Sequence, residues 1–360
     1  MKILCVSSPH GFTTRDVWTK TVKGLRAAGH TVETYDLIWR YQAFDFMFTQ
    51  AERLKKQMPE GWAINTLATE AVFGASFYHK VDAVLIVSPQ YFPMTIVDML
   101  RDLGKLTIAY FTECPYEDSI HTPIQAMHFD ISLVNDRNSV DLFRQFCPRT
   151  YYVAHCYDPD LHYPADGAGY AGISFVGTGY DGRLKFLSAI DWRRFPVPVA
   201  IYGQWWHKAR KLRPYFQKNQ SVDIVANGRT EKNVPSGLIN NDVAADIYRR
   251  SAVSFNMHRT QMHGDTLSDI DEGLAYSLGP RAFELAACGT FQASDYREEL
   301  DDLFGDSVPV FKTPAELESI LERAVGDPDW RRKMAAWQHE AVRGHDCNTR
   351  FAHVSELVAA

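Results

Sequence analysis

The stretch from Gly279 to Leu300, GPRAFELAACGTFQASDYREEL, carries the densest chemistry-bearing pattern in the chain. Pro280 suits the first helical position. Arg281 and Glu284 stand three residues apart, so a guanidinium and a carboxylate leave one face at the start of one helix. Such a carboxylate can accept two hydrogen bonds from a vicinal diol such as a ribose, and a guanidinium beside a helix N-terminus suits a pyrophosphate. The same pair also fits an intrahelical ion pair on a solvated face, worth roughly 0.3–0.5 kcal/mol. A second set suits proton transfer. Glu113 follows the apolar run LTIAYFT, while His10 and Asp16 lie in and just beyond the loop SPHGFTTRD. A carboxylate within reach of a hydroxyl is what base catalysis needs, so Glu113 is the first choice for a base. Each has a plainer role: loop histidine for His10, helix cap for Asp16, turn acid beside Pro115 for Glu113. Asn135 and Asp136, at the end of ISLVN, come next as acceptor contacts.

The elements that must hold these residues alternate strand and helix. Lys2 to Ser7 reads as a buried parallel strand, and the amphipathic stretch through Val17, Val22 and Leu25 stops at Gly29. Thr31 to Tyr35 is the next strand, followed by an aromatic-rich helical region from Tyr41 to His79. Further strands are expected at Ala83–Ser88, Leu106–Phe111, Asp130–Asn135 and Tyr151–Ala154, with helices at Ile96–Leu103 and Val140–Phe146. After the loop DPDLHYPADGAGYAG a second strand, glycine loop and helix begin at ISFVGTGYDGR. Strands at VAIYG, AVSFNMH, FQASD and SVPVF and the segment SVDIV follow, with helices ending at IYRR and at RAFELAAC. Thr313-Pro314-Ala315-Glu316 is a capping box with proline at the first helical position. The class is α/β, with ligands expected beyond the carboxyl ends of the strands.

The 360 residues predict two domains at roughly 150 residues each. At 46% hydrophobic and 23% charged, the composition supports packed cores and excludes disorder or a fibre. The net charge of −6 gives no global pull toward nucleic acid or anionic lipid, so such a partner needs a local patch. Six cysteines without a CxxC pair fit neither a disulfide framework nor a zinc site. With no signal-peptide pattern and no apolar run of ~18 residues, a cytoplasmic protein is expected.

Four segments stand in order over roughly residues 171–350: FVGTGYDGRLKFL, IYGQWW, SFNMHR and RAFELAACGTF. Together they resemble the carboxyl-terminal domain of glycosyltransferases of the two-Rossmann (GT-B) type, most closely the CgeB-like, spore-maturation-type branch of the group 1 glycosyltransferases. MKIL, YFTECPYED and HCYDPDLHYP carry a thinner match in the first half. The resemblance implies two Rossmann-like, doubly wound domains facing across a cleft. An acceptor domain would occupy residues 1–165 and a nucleotide-sugar donor domain residues 171–345, with a final helix at 346–360 packing back on the first. It implies that Glu284 holds the donor ribose and that Arg281 with Arg183 neutralises the leaving diphosphate. Asn256 and His258 would line the sugar or phosphate pocket, and Gly177 and Gly179 would let backbone amides approach it. Gly203 and Trp205 would stand with these donor-binding residues. Retaining relatives often carry a glutamate eight residues before the ribose-binding one. Here that position is Tyr276, so retention of configuration does not carry over.

No cofactor is expected beyond the nucleoside diphosphate sugar as co-substrate. No metal is expected either, since Asp269-Ile270-Asp271, formally DxD, sits in a polar context, TLSDIDEGLAYS. From Trp192 to Val222 there is no Asp or Glu, but seven Lys or Arg are interleaved with seven aromatics. Arg210 and Lys211 in this stretch are candidate acceptor contacts, and basic with aromatic residues suits a nucleic-acid strand. The plainer account has these residues packing the sheet, holding the diphosphate or facing solvent. A hydroxymethylated pyrimidine in DNA is a concrete acceptor; a protein side chain, a polysaccharide or a small metabolite are others. A nucleotide-sugar epimerase and a non-catalytic nucleotide-sugar binding protein are the competing functions. A dehydrogenase is disfavoured because neither glycine loop is a full GxGxxG with an acidic residue at the expected distance.

Overall fold

The computed structural model describes residues 1–8, 13–53, 61–117, 119–165, 172–203, 210–215, 222–226, 229–234, 239–258 and 274–359. The chain divides into two compact units. One comprises Met1–Ala154, Asp269–Ala275 and Cys347–Ala360, and the other His155–Ser268 and Tyr276–Asp346. The segment HCYDPDLHYP thus goes with the second unit. Within that unit Tyr157 bridges Asp346, and the Arg249 guanidinium donates to the Leu161 carbonyl.

The first unit runs β1 (Lys2–Val6), α1 (Thr13–Ala27), β2 (Thr31–Tyr35), α2 (Leu37–Arg53), α3 (Gly61–Tyr78), β3 (Ala83–Val87), α4 (Met94–Asp102), β4 (Leu106–Phe111), β5 (Ile131–Val134), α5 (Val140–Arg144) and β6 (Thr150–Tyr152). Its six strands form one parallel sheet in the order β2-β1-β3-β4-β5-β6. Helices cover both faces of such a sheet, which is why AVLIV in β3 is buried throughout while edge strand β2, TVETY, is exposed in part. Ile96, Val97 and Leu100 of α4 pack on this core, and Phe111 stacks at a tilt on Phe143.

The second unit runs β7 (Ile173–Val176), α6 (Asp181–Ser188), β8 (Val199–Tyr202), β9 (Val222–Ala226), β10 (Arg229–Val234), α7 (Asn241–Arg250), β11 (Val253–Asn256), α8 (Pro280–Ala287), β12 (Phe291–Ser294), α9 (Glu298–Phe304), α10 (Pro314–Gly326) and α11 (Pro328–Ala341). Four strands form a parallel sheet in the order β12-β11-β7-β8, and β9 and β10 form a separate antiparallel pair. Phe175 of β7 and Phe255 of β11 stack at 4.8 Å at the centre of this core. The capping box at Thr313 and Glu316 is present. The expected strand SVPVF is reduced to one parallel bridge, Val310 to Ser294. The reason lies on the same edge of β12: the Gln338 amide of α11 accepts from the Gln292 N–H at 2.9 Å and donates to its carbonyl at 3.0 Å. A side chain takes the bonds that a longer edge strand would make.

The last helix, α12 (Cys347–Ala359), belongs to the first unit and lies along α1. Gly24 makes this approach possible: a Cβ there would stand 2.3 Å from the Cys347 carbonyl oxygen and 2.7 Å from Phe351 Cβ. Phe351 in turn meets Tyr110 of β4 edge-on, and the Arg149 guanidinium donates to the Val358 carbonyl at 3.1 Å. No helix among the described residues is long and apolar enough to cross a membrane. All six cysteines are buried and free.

Gly24→Ala should lower stability by about 1–3 kcal/mol through overpacking against α12. Urea unfolding measures this, and an unchanged midpoint would show that α12 does not need the close approach.

Candidate functional site

In the second unit the chain order reverses between β7 and β11, and open α/β sheets bind ligands beyond the carboxyl ends of the strands at such a point. The loop after β7 carries Gly177 and Gly179, the end of β11 carries Asn256 and His258, and α8 begins with Pro280 and Arg281. Arg281 Nη1 donates to Asn256 Oδ1 at 3.2 Å, and its guanidinium lies 5.1 Å from the Phe175 ring centroid. It also bonds the Tyr248 hydroxyl of α7, whose pKa burial pushes up. Arg183 of α6 approaches the same Phe175 ring at 5.9 Å, and it donates with Nη1 to the Thr178 carbonyl at 3.1 Å and with Nη2 to the Met257 carbonyl. Two guanidinium groups therefore share one end of the sheet, a positive concentration suited to an anion. Arg183 also laces the glycine loop to the end of β11.

The glycines act through backbone proximity. A Cβ on Gly177 would stand 3.0 Å from Arg281 Nη2. Gly203, at the end of β8, has φ +111°, and a Cβ there would stand 2.1 Å from the Gly177 carbonyl oxygen. Only glycine meets both demands. Gly179 lies in the turn before α6, and Trp205 lies outside the described residues.

His258 is buried in a connected polar cluster. Its Nδ1 is 2.7 Å from Asp295 Oδ1, and its backbone N–H also donates to the Asp295 carboxylate, at 2.8 Å to Oδ2. Its Nε2 lies 3.3 Å from Asn256 Nδ2 and receives the Gly279 N–H at 3.3 Å. Burial works to raise the Asp295 carboxyl, but the neighbouring His258, with its hydrogen bonds, outweighs it and holds the group below its ordinary value.

Glu284, one turn into α8, is only 6% exposed, so the solvated ion-pair account does not hold. Its carboxylate lies 4.0 Å from Nε2 of the fully buried His162 side chain. It adds to burial in pushing the Cys288 thiol up to about 12. A carboxylate this deep is costly unless other groups compensate it.

The sequence did not single out Asp295, His162 or Tyr248. Asp295 lies 37 residues from His258, and no local spacing signals that pair. His162 is visible only as part of HCYDPDLHYP.

In the first unit the chain order reverses between β1 and β3. Glu113 is half-buried just past β4, and Asp16 is half-buried in the first turn of α1. Strand β3 separates β4 from β1 in the sheet, and His10 lies outside the described residues. The Asn135 amide donates to the Thr112 carbonyl at 2.7 Å. Asp136 is fully buried, accepts the Asn138 N–H at 3.0 Å and so shapes the turn after β5. Ser88, at the end of β3, holds φ 53°, and its hydroxyl bonds that of Thr112. Asn135, Asp136, Ser88 and Thr112 thus tie together the ends of β3, β4 and β5.

Of the basic and aromatic stretch, Trp192, Phe195 and Leu212 are core residues. Arg193 pairs with Asp191, and Arg194 with Glu318 and Glu322. Lys211 and Arg213 are exposed, while the Arg210 side chain lies outside the described residues. Asp269 and Asp271 also lie outside them. Among the described residues no three His, Cys, Asp or Glu side chains cluster as a metal site.

Residues 183–356 match the family described as glycosyl transferase-like. The match takes in Arg183, Asn256, His258, Arg281, Glu284 and Asp295. No protein of curated function matches the sequence. Solved structures share the fold over the whole chain. The E. coli trehalose-6-phosphate protein bound with UDP-2-fluoro glucose is 12% identical at a TM-score of 0.61, covering 100% of this chain and 99% of that one. The α,α-trehalose 6-phosphate synthase of Burkholderia multivorans is 10% identical at 0.57, covering 99% and 96%. A putative UDP-N-acetylglucosamine 2-epimerase from Listeria monocytogenes is 11% identical at 0.56, covering 95% and 94%. The chain therefore has the α/β fold of these proteins, with two Rossmann-like units and parallel sheets.

Gly203→Ala should cost about 1–3 kcal/mol, since an L side chain is strained at this φ and strikes the Gly177 carbonyl. Denaturant midpoints test this, and a midpoint equal to that of the unsubstituted protein would remove the proposed contact between the ends of β7 and β8.

Proposed function

We propose that the protein is a glycosyltransferase that moves a sugar from a nucleoside diphosphate sugar to an acceptor hydroxyl. The observation that carries this is the convergence of Arg281, Arg183, Asn256 and His258 with the start of α8 at the switch point, inside the segment that matches the glycosyl transferase-like family. Breaking the bond from the anomeric carbon to the diphosphate oxygen builds positive charge on the sugar and negative charge on the leaving group. Preorganised cations and a helix N-terminus stabilise that separation. In this reading the protein's own side chains meet the charge of the diphosphate, and the reaction is metal-independent. Glu284 is assigned to the donor ribose and Glu113 to acceptor deprotonation. The resemblance to the CgeB-like branch supports the donor half of the assignment.

The acceptor is assigned by class alone. A hydroxymethylated pyrimidine in DNA rests on stretch 192–222, where Trp192, Phe195 and Leu212 are spent on the core and Arg193 and Arg194 on ion pairs. This weakens DNA relative to a sugar or another small hydroxyl compound. The fold shared with a putative 2-epimerase favours epimerisation as the second reading. A free sugar product formed without a second substrate would mark it.

A thermal-shift screen against UDP, GDP, TDP and CDP sugars should show one nucleotide family stabilising the protein, by about 2.7 kcal/mol at a hundredfold excess over Kd. No shift with any of them would remove the donor site. Glu284→Ala should raise the donor KM more than it lowers kcat; an unchanged donor affinity would end the ribose assignment. Glu113→Gln should lower kcat by about 10²–10⁴ with donor binding intact. Surviving turnover would exclude Glu113 as the base.

A further inference from the structure

The hydrogen bonds around His258 determine which ring nitrogen carries its proton. A guanidinium can only donate, so the Asn256 atom that Arg281 meets at 3.2 Å is the amide oxygen, and the amide nitrogen faces His258 Nε2. The Gly279 N–H points at the same Nε2, and a backbone N–H can only donate. Two donors therefore meet one lone pair on Nε2. The ring hydrogen must sit on Nδ1, where it faces Asp295 Oδ1 at 2.7 Å.

We propose that His258 takes up a proton when the diphosphate of a nucleotide sugar binds at the start of α8, with Asp295 as the positioning residue that orients the ring and stabilises the imidazolium. The inference rests on the nucleotide-sugar function proposed above and adds a mechanism to its donor site. A phosphate oxygen is a stronger acceptor for the Gly279 N–H than imidazole nitrogen, and it draws on the same helix N-terminus. Once it takes that N–H, the Nε2 lone pair faces an anion, which is repulsive. A solvent proton on Nε2 converts the repulsion into a charge-assisted hydrogen bond, while Nδ1–H stays on the Asp295 carboxylate and the Asn256 amide nitrogen, no longer facing a lone pair, keeps its bond to Ser294 Oγ at 3.3 Å.

The charged groups around the ring fit this exchange. Asp295 faces it from the end of β12, with Arg297 acting on Asp295 from the following turn. Arg281 reaches it from α8 through Asn256, and Arg183 holds the adjacent Met257 carbonyl from α6. The carboxylate supplies the counter-charge for an imidazolium. The two guanidinium groups oppose that charge until an anion is present, so protonation and phosphate binding favour each other.

The test is calorimetric titration of the full chain with UDP-glucose, a diphosphate diester that does not itself titrate near neutrality, in two buffers of different ionisation enthalpy. The unsubstituted protein should take up protons on binding, at most one per nucleotide sugar, and affinity should fall with rising pH over the range of uptake. His258→Gln should bind without proton uptake. Asp295→Asn should move the uptake to lower pH, and Asp295→Glu should move it back; a purely structural role for Asp295 would leave the pH profile in place. Binding without proton uptake in the unsubstituted protein overturns the inference and leaves the donor site standing, whether or not the variants fold. Equal uptake in His258→Gln also overturns it. If neither UDP-glucose nor the GDP, TDP and CDP sugars bind, the glycosyltransferase reading fails and takes this inference with it.

Discussion

A guanidinium that can only donate sets the polar order at the end of the second sheet. Arg281 fixes the Asn256 amide, the amide and the Gly279 N–H just before α8 fix the His258 tautomer, and the tautomer directs one N–H at Asp295. The side chains in this chain of contacts come from α8, the end of β11 and the end of β12. Each has its orientation decided by the partner before it, so the cluster has one satisfied arrangement rather than several. Phe175 beneath both arginines and Gly177 beside Arg281 leave room for that arrangement without distorting β7.

This order is possible because both sheets are parallel. Parallel strands present all their carboxyl ends on one side, and a reversal of chain order opens a place where successive loops part. In the second unit that place gathers two cations and a helix N-terminus. In the first unit the ends of β3, β4 and β5, beside the reversal rather than at it, carry serine and threonine hydroxyls, the Asn135 amide and the half-buried Glu113. The groups at the two ends differ accordingly: guanidinium groups in one unit, hydroxyl and carboxylate groups in the other. Glu284 sits apart from both in kind. It is a buried carboxylate, 6% exposed, with the His162 imidazole 4.0 Å away.

Close backbone approaches recur where the fold is tightest. Gly24 lets α12 lie on α1, and Gly203 lets the end of β8 touch that of β7. Gln338 does the equivalent for an edge, closing β12 with a side-chain amide where a further strand would otherwise pair. The sheet described in the second unit has four strands, and the following segment leads into α10, whose Leu317, Leu321 and Ala324 pack on the same core.

Periodicity and turn chemistry were enough to determine the α/β class, most strand positions, the capping box at Thr313 and the existence of two halves. Those features depend on residues close together in sequence: apolar runs of strand length, glycine loops, and proline at a first helical position. The pairing Arg281–Glu284 was legible as a helical spacing, but its meaning was not. Tertiary packing sends Arg281 to Asn256 and Tyr248 and buries Glu284 beside His162. Likewise the basic and aromatic stretch had a clear composition, yet only packing shows Trp192 in the core and Arg194 held by α10. The fate of SVPVF was decided by Gln338, and the role of Asp295 by a strand that brings it to a histidine 37 residues away. Local spacing encodes what neighbours along the chain can do, whereas burial and hydrogen-bond partners are set by segments that meet only after the sheet has formed.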